Sequence, residues 1–158
     1  MMKIRVPLAK DVPAITEVIQ SAYKVCYRGY VPDEYLNNLC ITADILQKWH
    51  DYLQKYECYV AEKNKQIVAF LMAMEDNSDT FEIGVLYVKP EYQKMGIGTL
   101  LVDYLCKIKK KNDYKTCKVW TIKNGPSVGF YNKVGFTITK YEKPWKFDIP
   151  IIMMLKIL

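Results

Sequence analysis

Apolar positions along the chain follow two spacings, and these predict alternating strands and helices. A spacing of three or four residues after Asp11 predicts a first helix, with Asp11 at the N-cap and Pro13 in the first turn. Runs that alternate in polarity, or that are continuously apolar, predict strands. The expected strands are 4–6, 56–62, 66–74, 81–88, 115–122, 135–141 and 149–158.

The remaining segments predict further helices. Short helices are expected at 33–39 and 126–133, and another after a Thr42 cap. The clearest helix begins just after Gly98. The apolar residues that fall on one face of this helix are Leu100, Leu101, Tyr104, Leu105 and Ile108. Lysines at its end suit the negative end of the helix dipole, so we expect them to be solvated rather than bound to nucleic acid. These lysines are Lys107, Lys109, Lys110 and Lys111.

The order of these elements predicts the fold class. A three-residue link at 63–65 favours a hairpin early in the chain, and a helix joins two strands later. This order indicates a mixed α/β sheet with helices on its faces. With 158 residues and no visible repeat or linker, we expect one domain spanning 1–158.

Composition excludes several classes of protein. A chain that is 51% hydrophobic and 25% charged is neither disordered nor collagen-like. The longest apolar run, 149–155, is too short for a membrane span, and no signal peptide is visible, so we expect a cytoplasmic protein without membrane contact. The five cysteines form no Cys-x-x-Cys pair and His50 is the only histidine, which argues against a metal site and a Ser-His-Asp triad.

The net charge of +6 is compatible with an anionic ligand. Basic residues number 23 against 17 acidic ones, but only Arg5 and Arg28 are arginines. Arginine is the usual bidentate partner of bases and phosphates, whereas lysine acts as a point charge. We therefore expect no nucleic-acid partner.

One stretch, residues 86–101, carries recognisable chemistry. A predicted strand enters a loop with Gly96 and Gly98, and the loop opens the clearest helix. Backbone N–H groups and the dipole at a helix N-terminus favour an anion. A dinucleotide fingerprint would need a third glycine where Leu101 stands, and a Walker A loop would need Gly-Lys-Ser/Thr. Taken alone, the loop also fits an ordinary strand–turn–helix.

The residues around the loop distinguish these interpretations. The pattern Gln93-x-x-Gly96-x-Gly98, preceded by Leu86-Tyr87-Val88-x-Pro90, resembles the acetyl-CoA motif of the GNAT superfamily of N-acetyltransferases. A later segment resembles the same family, with Asn124, then Phe130-Tyr131, then Gly135-Phe136. The specific resemblance extends over 81–136. It implies a mostly antiparallel twisted sheet flanked by helices, the acyl-CoA N-acyltransferase fold.

The resemblance also implies roles for residues at the cofactor. The strand carrying Leu86, Tyr87 and Val88 would splay from its neighbour, and its backbone would bind the pantetheine arm and the thioester carbonyl. The following loop would hold the pyrophosphate, and Asn124 would contact the cofactor arm. The implied cofactor-binding residues of the loop are Gln93, Lys94, Met95, Gly96, Ile97, Gly98 and Thr99.

The implied chemistry needs an acid and a base but no enzyme nucleophile, because a primary amine attacks the thioester directly. Tyr131 matches the family's tyrosine that protonates the departing thiolate. Glu82 is the candidate base, since related enzymes place a carboxylate on this strand. Core packing for Tyr131 and a solvated edge position for Glu82 remain alternatives. Members that acetylate ribosomal-protein N-termini tend to carry a glutamate where this chain has Val119.

Acceptor recognition is expected from the first helices. Tyr27, Tyr30 and Glu34 lie among aromatic and acidic residues that suit a cationic amine, although such a cluster also occurs in ordinary packing. The prediction is therefore an N-acetyltransferase that uses acetyl-CoA as co-substrate, without a metal, on a small-molecule or peptide amine. A monomer or homodimer is expected. The alternative is a non-catalytic acyl-CoA-binding module on the same fold.

Overall fold

The computed structural model describes all residues from 1 to 158, and the chain contains seven strands and five α-helices. The strands are β1 Met2–Arg5, β2 Glu57–Lys63, β3 Gln66–Glu75, β4 Thr80–Val88, β5 Thr116–Ile122, β6 Thr137–Pro144 and β7 Pro150–Ile157. The helices are α1 Val12–Cys26, α2 Asp33–Asn37, α3 Ala43–Lys55, α4 Ile97–Lys111 and α5 Ser127–Lys133. Each predicted element is present, with boundaries shifted by a few residues.

All seven strands belong to one sheet of mixed direction. Its order is β1-β2-β3-β4-β5-β7-β6. The pairs β1–β2, β2–β3, β5–β7 and β6–β7 are antiparallel, whereas β4 and β5 are parallel. The parallel pair is joined through α4, as expected when a crossover connects parallel strands. The predicted mixed, mostly antiparallel α/β fold is confirmed.

Packing divides the chain into two compact units. Unit 1 comprises residues 1–73 and 85–101, and unit 2 comprises 74–84 and 102–158. In unit 1, strands β1, β2 and β3 pair antiparallel in that order, and the inner residues of β2 and β3 are fully buried, among them Val60 and Phe70. Trp49 of α3 packs edge-on against Phe70, with ring centroids 5.8 Å apart. Thr42 caps α3 as predicted, because its side chain accepts a hydrogen bond from the Ile45 N–H.

The start of α1 is held differently from the prediction. Asp11 is the N-cap residue, but its side chain makes no capping bond to the helix. The Asp11 carboxylate instead accepts from the Leu8 N–H at 2.7 Å and from Arg5 Nη1 at 2.7 Å. Arg5 also donates from Nε to Glu62 of β2 at 2.9 Å. One guanidinium therefore links the start of α1 to the sheet.

Replacement of Arg5 by methionine is expected to lower the free energy of unfolding by about 1–3 kcal/mol, because the buried Asp11 carboxylate would lose its charged donor. The measurement is chemical denaturation at pH 7. Arg28→Met removes an exposed pair with Asp33 and is the matched control, with an expected change of about 0–1 kcal/mol. Equal losses in the two variants would contradict the assignment.

The same pair predicts a dependence of stability on pH. Hydrogen bonding from Arg5 lowers the pKa of the Asp11 carboxyl. A carboxyl with a lowered pKa in the folded state stabilises the fold above its unfolded pKa of about 3.9, and the contribution is lost as pH falls through the folded value. Asp11→Asn should therefore be less stable than the parent at pH 7 and lose less stability on acidification below about pH 4.

Unit 2 places β5 centrally, between β4 and β7. The buried residues of α4 include Val102, Leu105 and Cys106, whereas Leu100 and Tyr104 are exposed. The predicted helix is present, but two residues of its apolar face, Leu100 and Tyr104, are exposed. Apolar residues of α4 lie on more than one of its faces, so more than one set of them has helical spacing. Packing against the sheet decides which set is buried.

The lysines at the end of α4 do not behave alike. Lys107, Lys110 and Lys111 are exposed as predicted, but Lys109 is only 8% exposed. Its ammonium lies 4.7 Å from the ring centre of Tyr114 and 5.7 Å from that of Phe81. The prediction that all four are solvated is therefore wrong for Lys109, because a lysine stem readily covers aromatic surface while its charge faces the ring.

Candidate active site

The turn between β4 and α4 has the geometry of an anion-binding loop. After a 3₁₀ turn at Pro90–Tyr92, the backbone is left-handed at Lys94 (φ 63°) and Gly96 (φ 80°), and α4 begins at Ile97. The first hydrogen bond of the helix between residues four apart runs from the Leu100 N–H to the Gly96 carbonyl, at 3.0 Å. Helix geometry leaves the N–H groups of Ile97, Gly98 and Thr99 without intrahelical acceptors. These three donors stand at the positive end of the helix dipole.

Gly96 is needed for its backbone conformation. A Cβ at Gly96 would meet no atom within 4 Å, so space does not exclude a side chain there. Its φ of 80° lies in the region that L side chains rarely adopt. Lys94 and Met95 have exposed side chains, and Lys94 occupies its left-handed conformation without the freedom of glycine. At Gly96, where the chain turns into α4, the loop therefore exposes backbone atoms with no side chain over them.

Gln93 fixes the loop to the end of β4. Its Nε2 donates to the Val88 carbonyl at 3.0 Å and lies 3.9 Å from Cys26 Sγ at the end of α1. Burial raises the pKa of the Cys26 thiol, and the Gln93 hydrogen bond acts in the opposite direction. Gln93 therefore holds the loop between β4 and α4 in place from within the protein.

Three tyrosines join α1 to β4. Tyr27 and Tyr87 share a hydrogen bond between their hydroxyls at 2.9 Å, and the rings of Tyr23 and Tyr27 are 4.3 Å apart. Burial raises the pKa of all three hydroxyls above the usual value of a tyrosine. They are therefore neutral at physiological pH and act through packing and hydrogen bonding. The Tyr87 side chain was not predicted from the sequence to contact Tyr27, since only the tertiary structure brings them together.

The other predicted acceptor residues, Tyr30 and Glu34, lie on the surface of unit 1. Tyr30 is 40% exposed, and Glu34 is exposed in the first turn of α2. Arg28 Nη1 lies 3.2 Å from both Asp33 Oδ1 and Asn37 Oδ1. The loop between α1 and α2 is thus tied to α2, and both Tyr30 of the loop and Glu34 of α2 contact solvent.

Unit 2 contains the predicted acid, Tyr131, on α5. Tyr131 is 8% exposed, and its ring packs against Phe130 and Phe136 at centroid distances of 5.1 and 5.4 Å. The Phe136 N–H donates to the Tyr131 carbonyl at 2.9 Å. This aromatic packing fixes the ring independently of its hydroxyl.

Asn124 lies in the turn that precedes α5. Its backbone is left-handed (φ 57°), and the N–H of Gly125 donates to the Ile122 carbonyl at 2.9 Å. A Cβ at Gly125 would approach Ile122 Cβ to 2.9 Å, so glycine is required there by space. The turn therefore holds Asn124 at the carboxyl end of β5.

The predicted base, Glu82, faces a lysine. Glu82 and Lys118 are register partners in the parallel pair of β4 and β5, which places both side chains on one face. Lys118 Nζ lies 3.5 Å from Glu82 Oε1 and 3.1 Å from Asp76 Oδ2. The next residue, Val119, points to the other face and is buried. Sequence reasoning missed Lys118 and Asp76, because only the strand register identifies the partner of Glu82.

Comparison with known proteins identifies the family. Residues 16–136 match the acetyltransferase (GNAT) family. The chain belongs to this family. The predicted resemblance is confirmed, as is the predicted enzyme class, an acetyl-CoA-dependent N-acetyltransferase. Both the strand–loop–helix turn and Tyr131 lie within the matched residues.

Individual GNAT proteins are similar over most of this chain. A spermidine N(1)-acetyltransferase of Thermoplasma acidophilum is 27% identical over 149 residues, which are 87% of this chain and 89% of that protein. An uncharacterized N-acetyltransferase of Methanocaldococcus jannaschii is 25% identical over 130 residues; the match spans 78% of this chain but only 57% of that relative.

The fold is also that of a solved GNAT structure. The PaiA N-acetyltransferase from Thermoplasma acidophilum, in complex with coenzyme A, superposes with a TM-score of 0.85 at 21% identity, covering 100% of this chain and 99% of that one. In the present structure, no three His, Cys, Asp or Glu side chains are grouped to hold a metal ion. None of its helices is long and apolar enough to cross a membrane.

Proposed function

We propose that this acetyltransferase transfers the acetyl group of acetyl-CoA to a primary amine by direct attack within a ternary complex. The observation that carries the proposal is the loop 94–99, where a left-handed glycine turns the chain into α4. An anion at this helix end gains about 0.3–2 kcal/mol from the dipole, and each charge-assisted N–H bond adds about 1.5–3 kcal/mol. The pyrophosphate of acetyl-CoA is the anion we assign to it.

The cofactor arm is assigned to the strand before the loop. The pantetheine would bind the backbone of Leu86, Tyr87 and Val88, and Asn124 would contact it as well. The fixed end of β4 supports this assignment, since Gln93 holds the Val88 carbonyl and the Lys89 N–H donates to the Val68 carbonyl at 2.8 Å. A rigid strand end loses little conformational freedom when a ligand binds.

The chemical step forms a C–N bond and breaks the C–S bond of the thioester. An alkylamine has a pKa of about 10.4, so at pH 7 it is mostly an ammonium ion, which must lose a proton before its nitrogen can attack. We assign acceptance of this proton to the Glu82 carboxylate. The departing thiolate, similar to a thiol of pKa about 8.5, takes a proton from the Tyr131 hydroxyl. Each positioned group of this kind contributes a factor of about 10²–10⁴ in rate.

The acceptor class we propose is a primary amine on a small molecule such as a polyamine, with a peptide amine as the second possibility. A relative named as a spermidine N(1)-acetyltransferase supports the first. Exposed Tyr30 and Glu34 supply an aromatic face and a carboxylate, which attract a cationic amine that the net charge of +6 would otherwise repel. Val119 replaces the carboxylate typical of ribosomal-protein acetyltransferases, and this disfavours that peptide substrate.

We further propose that residues 1–158 act as one acetyltransferase domain, as a monomer or homodimer in a reducing compartment such as the cytoplasm. Support for one domain comes from the family match, since residues 16–136 include segments of both units. Support for a reducing compartment comes from the odd number of cysteines and the absence of a Cys-x-x-Cys pair.

The test is release of free thiol from acetyl-CoA in the presence of a panel of amines that includes spermidine, an amino sugar and a peptide. Amine-dependent release with formation of the N-acetyl product is the expected result. Acetyl-CoA binding without turnover on any amine would contradict the catalytic proposal and indicate an acyl-CoA-binding module. Initial rates measured while the amine is varied at several fixed concentrations of acetyl-CoA should give intersecting rather than parallel double-reciprocal lines, since no acetyl-enzyme forms.

A further inference from the structure

The indole ring of Trp120 in unit 2 holds a cation, and this contact is the feature from which we draw a further inference. The Lys143 ammonium lies over the ring, 4.2 Å from its centre. An aromatic ring attracts a cation that lies within about 6 Å of its face, and tryptophan attracts it best. Trp120 is partly exposed and Lys143 is exposed, so solutes reach both the ring and the ammonium that covers it.

Strand register places this ring on the same face of the sheet as Glu82. Glu82 of β4 is the register partner of Lys118 on β5, and Trp120 follows two residues later, so its side chain points to that face. The opposite face is closed, because Val119 and Thr121 are buried. The ring therefore lies on the more open face of this part of the sheet.

Trp120 also lies where the ladder between β4 and β5 ends. The last register pair of the two strands is Ile83 with Val119, and Trp120 is the next residue of β5. Two residues of a strand span about 7 Å, so Trp120 is about that far along β5 from Lys118, the residue opposite Glu82. A chain of a few methylene groups bridges such a distance.

A bulge in β6 precedes the lysine that covers the ring. From the pair Ile138–Met154 to the pair Glu142–Ile152, β6 advances from 138 to 142 while β7 covers only 154 to 152. Bulges re-aim side chains and are frequent next to active sites. Lys143 follows directly after this bulge, and its ammonium is carried on a flexible stem. Another cation can therefore take its place on the ring without a change in the backbone.

We propose that Trp120 is a specificity-determining residue that binds a second ammonium group of the acceptor, and that Lys143 occupies the ring until the acceptor arrives. The inference rests on the proposed function, because it takes Glu82 to mark the face from which the amine approaches the thioester. One nitrogen of a diamine or polyamine attacks the acetyl group while another is held over the indole. A monoamine leaves the ring to Lys143.

The other charged groups of unit 2 on this face do not oppose a second cation. Lys118 lies beside two carboxylates, 3.1 Å from Asp76 and 3.5 Å from Glu82, so one positive charge faces two negative ones. Lys143 is therefore the like charge that a diamine has to displace from Trp120.

The experiment compares kcat/KM for 1,5-diaminopentane and for pentylamine at saturating acetyl-CoA, because these acceptors differ by one ammonium group. We expect Trp120→Leu to lower the value for the diamine by about 3- to 30-fold and to leave that for pentylamine nearly unchanged. Lys143→Met should raise the value for the diamine by about twofold or more, because the ring is free in a larger fraction of molecules. Lys140→Met, which removes the same charge from β6, is the matched control and should affect the two acceptors equally.

A binding measurement makes the test independent of turnover. The indole N–H resonance of Trp120, identified by its absence from the NMR spectrum of Trp120→Phe, should shift when 1,5-diaminopentane is added and stay in place with pentylamine. Equal losses for both acceptors in Trp120→Leu would overturn the proposal, as would a lower diamine value in Lys143→Met or a Trp120 resonance that the diamine does not move. A shifted resonance without acetylation of any amine would support the cation site on Trp120 and contradict the proposed function.

Discussion

Tyr131→Phe is expected to lower kcat by a factor of about 10²–10⁴, with little change in KM for acetyl-CoA or in the thermal midpoint of unfolding. The substitution removes the hydroxyl that we assign to protonation of the departing thiolate. The ring contacts with Phe130 and Phe136 remain, because phenylalanine retains the same ring. Steady-state thiol release and thermal unfolding of the same preparation measure the two effects.

The control for this variant is Tyr141→Phe, which removes a hydroxyl from an exposed position on β6. It should retain the parent activity. A thioester whose leaving thiol is more acidic should also narrow the difference between Tyr131→Phe and the parent, since a stabler thiolate needs less help from a proton donor. Full activity in Tyr131→Phe would refute the acid role and leave the family assignment untouched.

Gly98→Glu is expected to weaken acetyl-CoA binding by about 100-fold or more. The second residue of α4 would place a carboxylate beside the N–H groups that we assign to the pyrophosphate, and like charges in contact cost several kcal/mol. Each 1.4 kcal/mol corresponds to tenfold in affinity. Equilibrium binding of acetyl-CoA, by calorimetry or by competition with a fluorescent analogue, measures the loss.

Gly98→Gln is the matched control, because glutamine has nearly the same size without the charge. We expect it to bind acetyl-CoA more weakly than the parent but clearly better than Gly98→Glu, and the gap between the two should shrink at high salt. Equal affinity of parent and Gly98→Glu would contradict the placement of the pyrophosphate at this helix end. Equal losses in the two variants would assign the effect to bulk alone.

Local sequence signals predicted the elements well, because they depend on neighbours in the chain. Thr42 predicted a cap and the cap is present, and Pro90 ended β4 as expected. Asp11 shows the limit of such signals. Its position as N-cap was predictable, but its carboxylate binds Arg5, whose approach also depends on the pairing of β1 with β2.

Burial was less predictable than element type. Leu100 and Tyr104 have the same helical spacing as Leu101 and Leu105, yet only the latter pair is buried. Lys109 shows the opposite case, a charged residue that is buried, because its ammonium lies over the rings of Phe81 and Tyr114. The orientation of a helix about its axis is set by packing of the whole unit, and the spacing of its own residues only restricts the choices.

By itself, the sequence determined the family, the loop that is proposed to hold the cofactor, and the identity of the proposed acid and base. These inferences depend on residue types at fixed short spacings in the chain. Such spacings can be recognised without knowledge of the fold. The tertiary structure alone decided that Tyr87 meets Tyr27 and that Lys118 lies between Glu82 and Asp76. The physical reason is that both contacts join segments distant in the chain: Tyr27 and Tyr87 are 60 residues apart, and β4 and β5 are separated by a helix. Such contacts are fixed only when the sheet and its packing form.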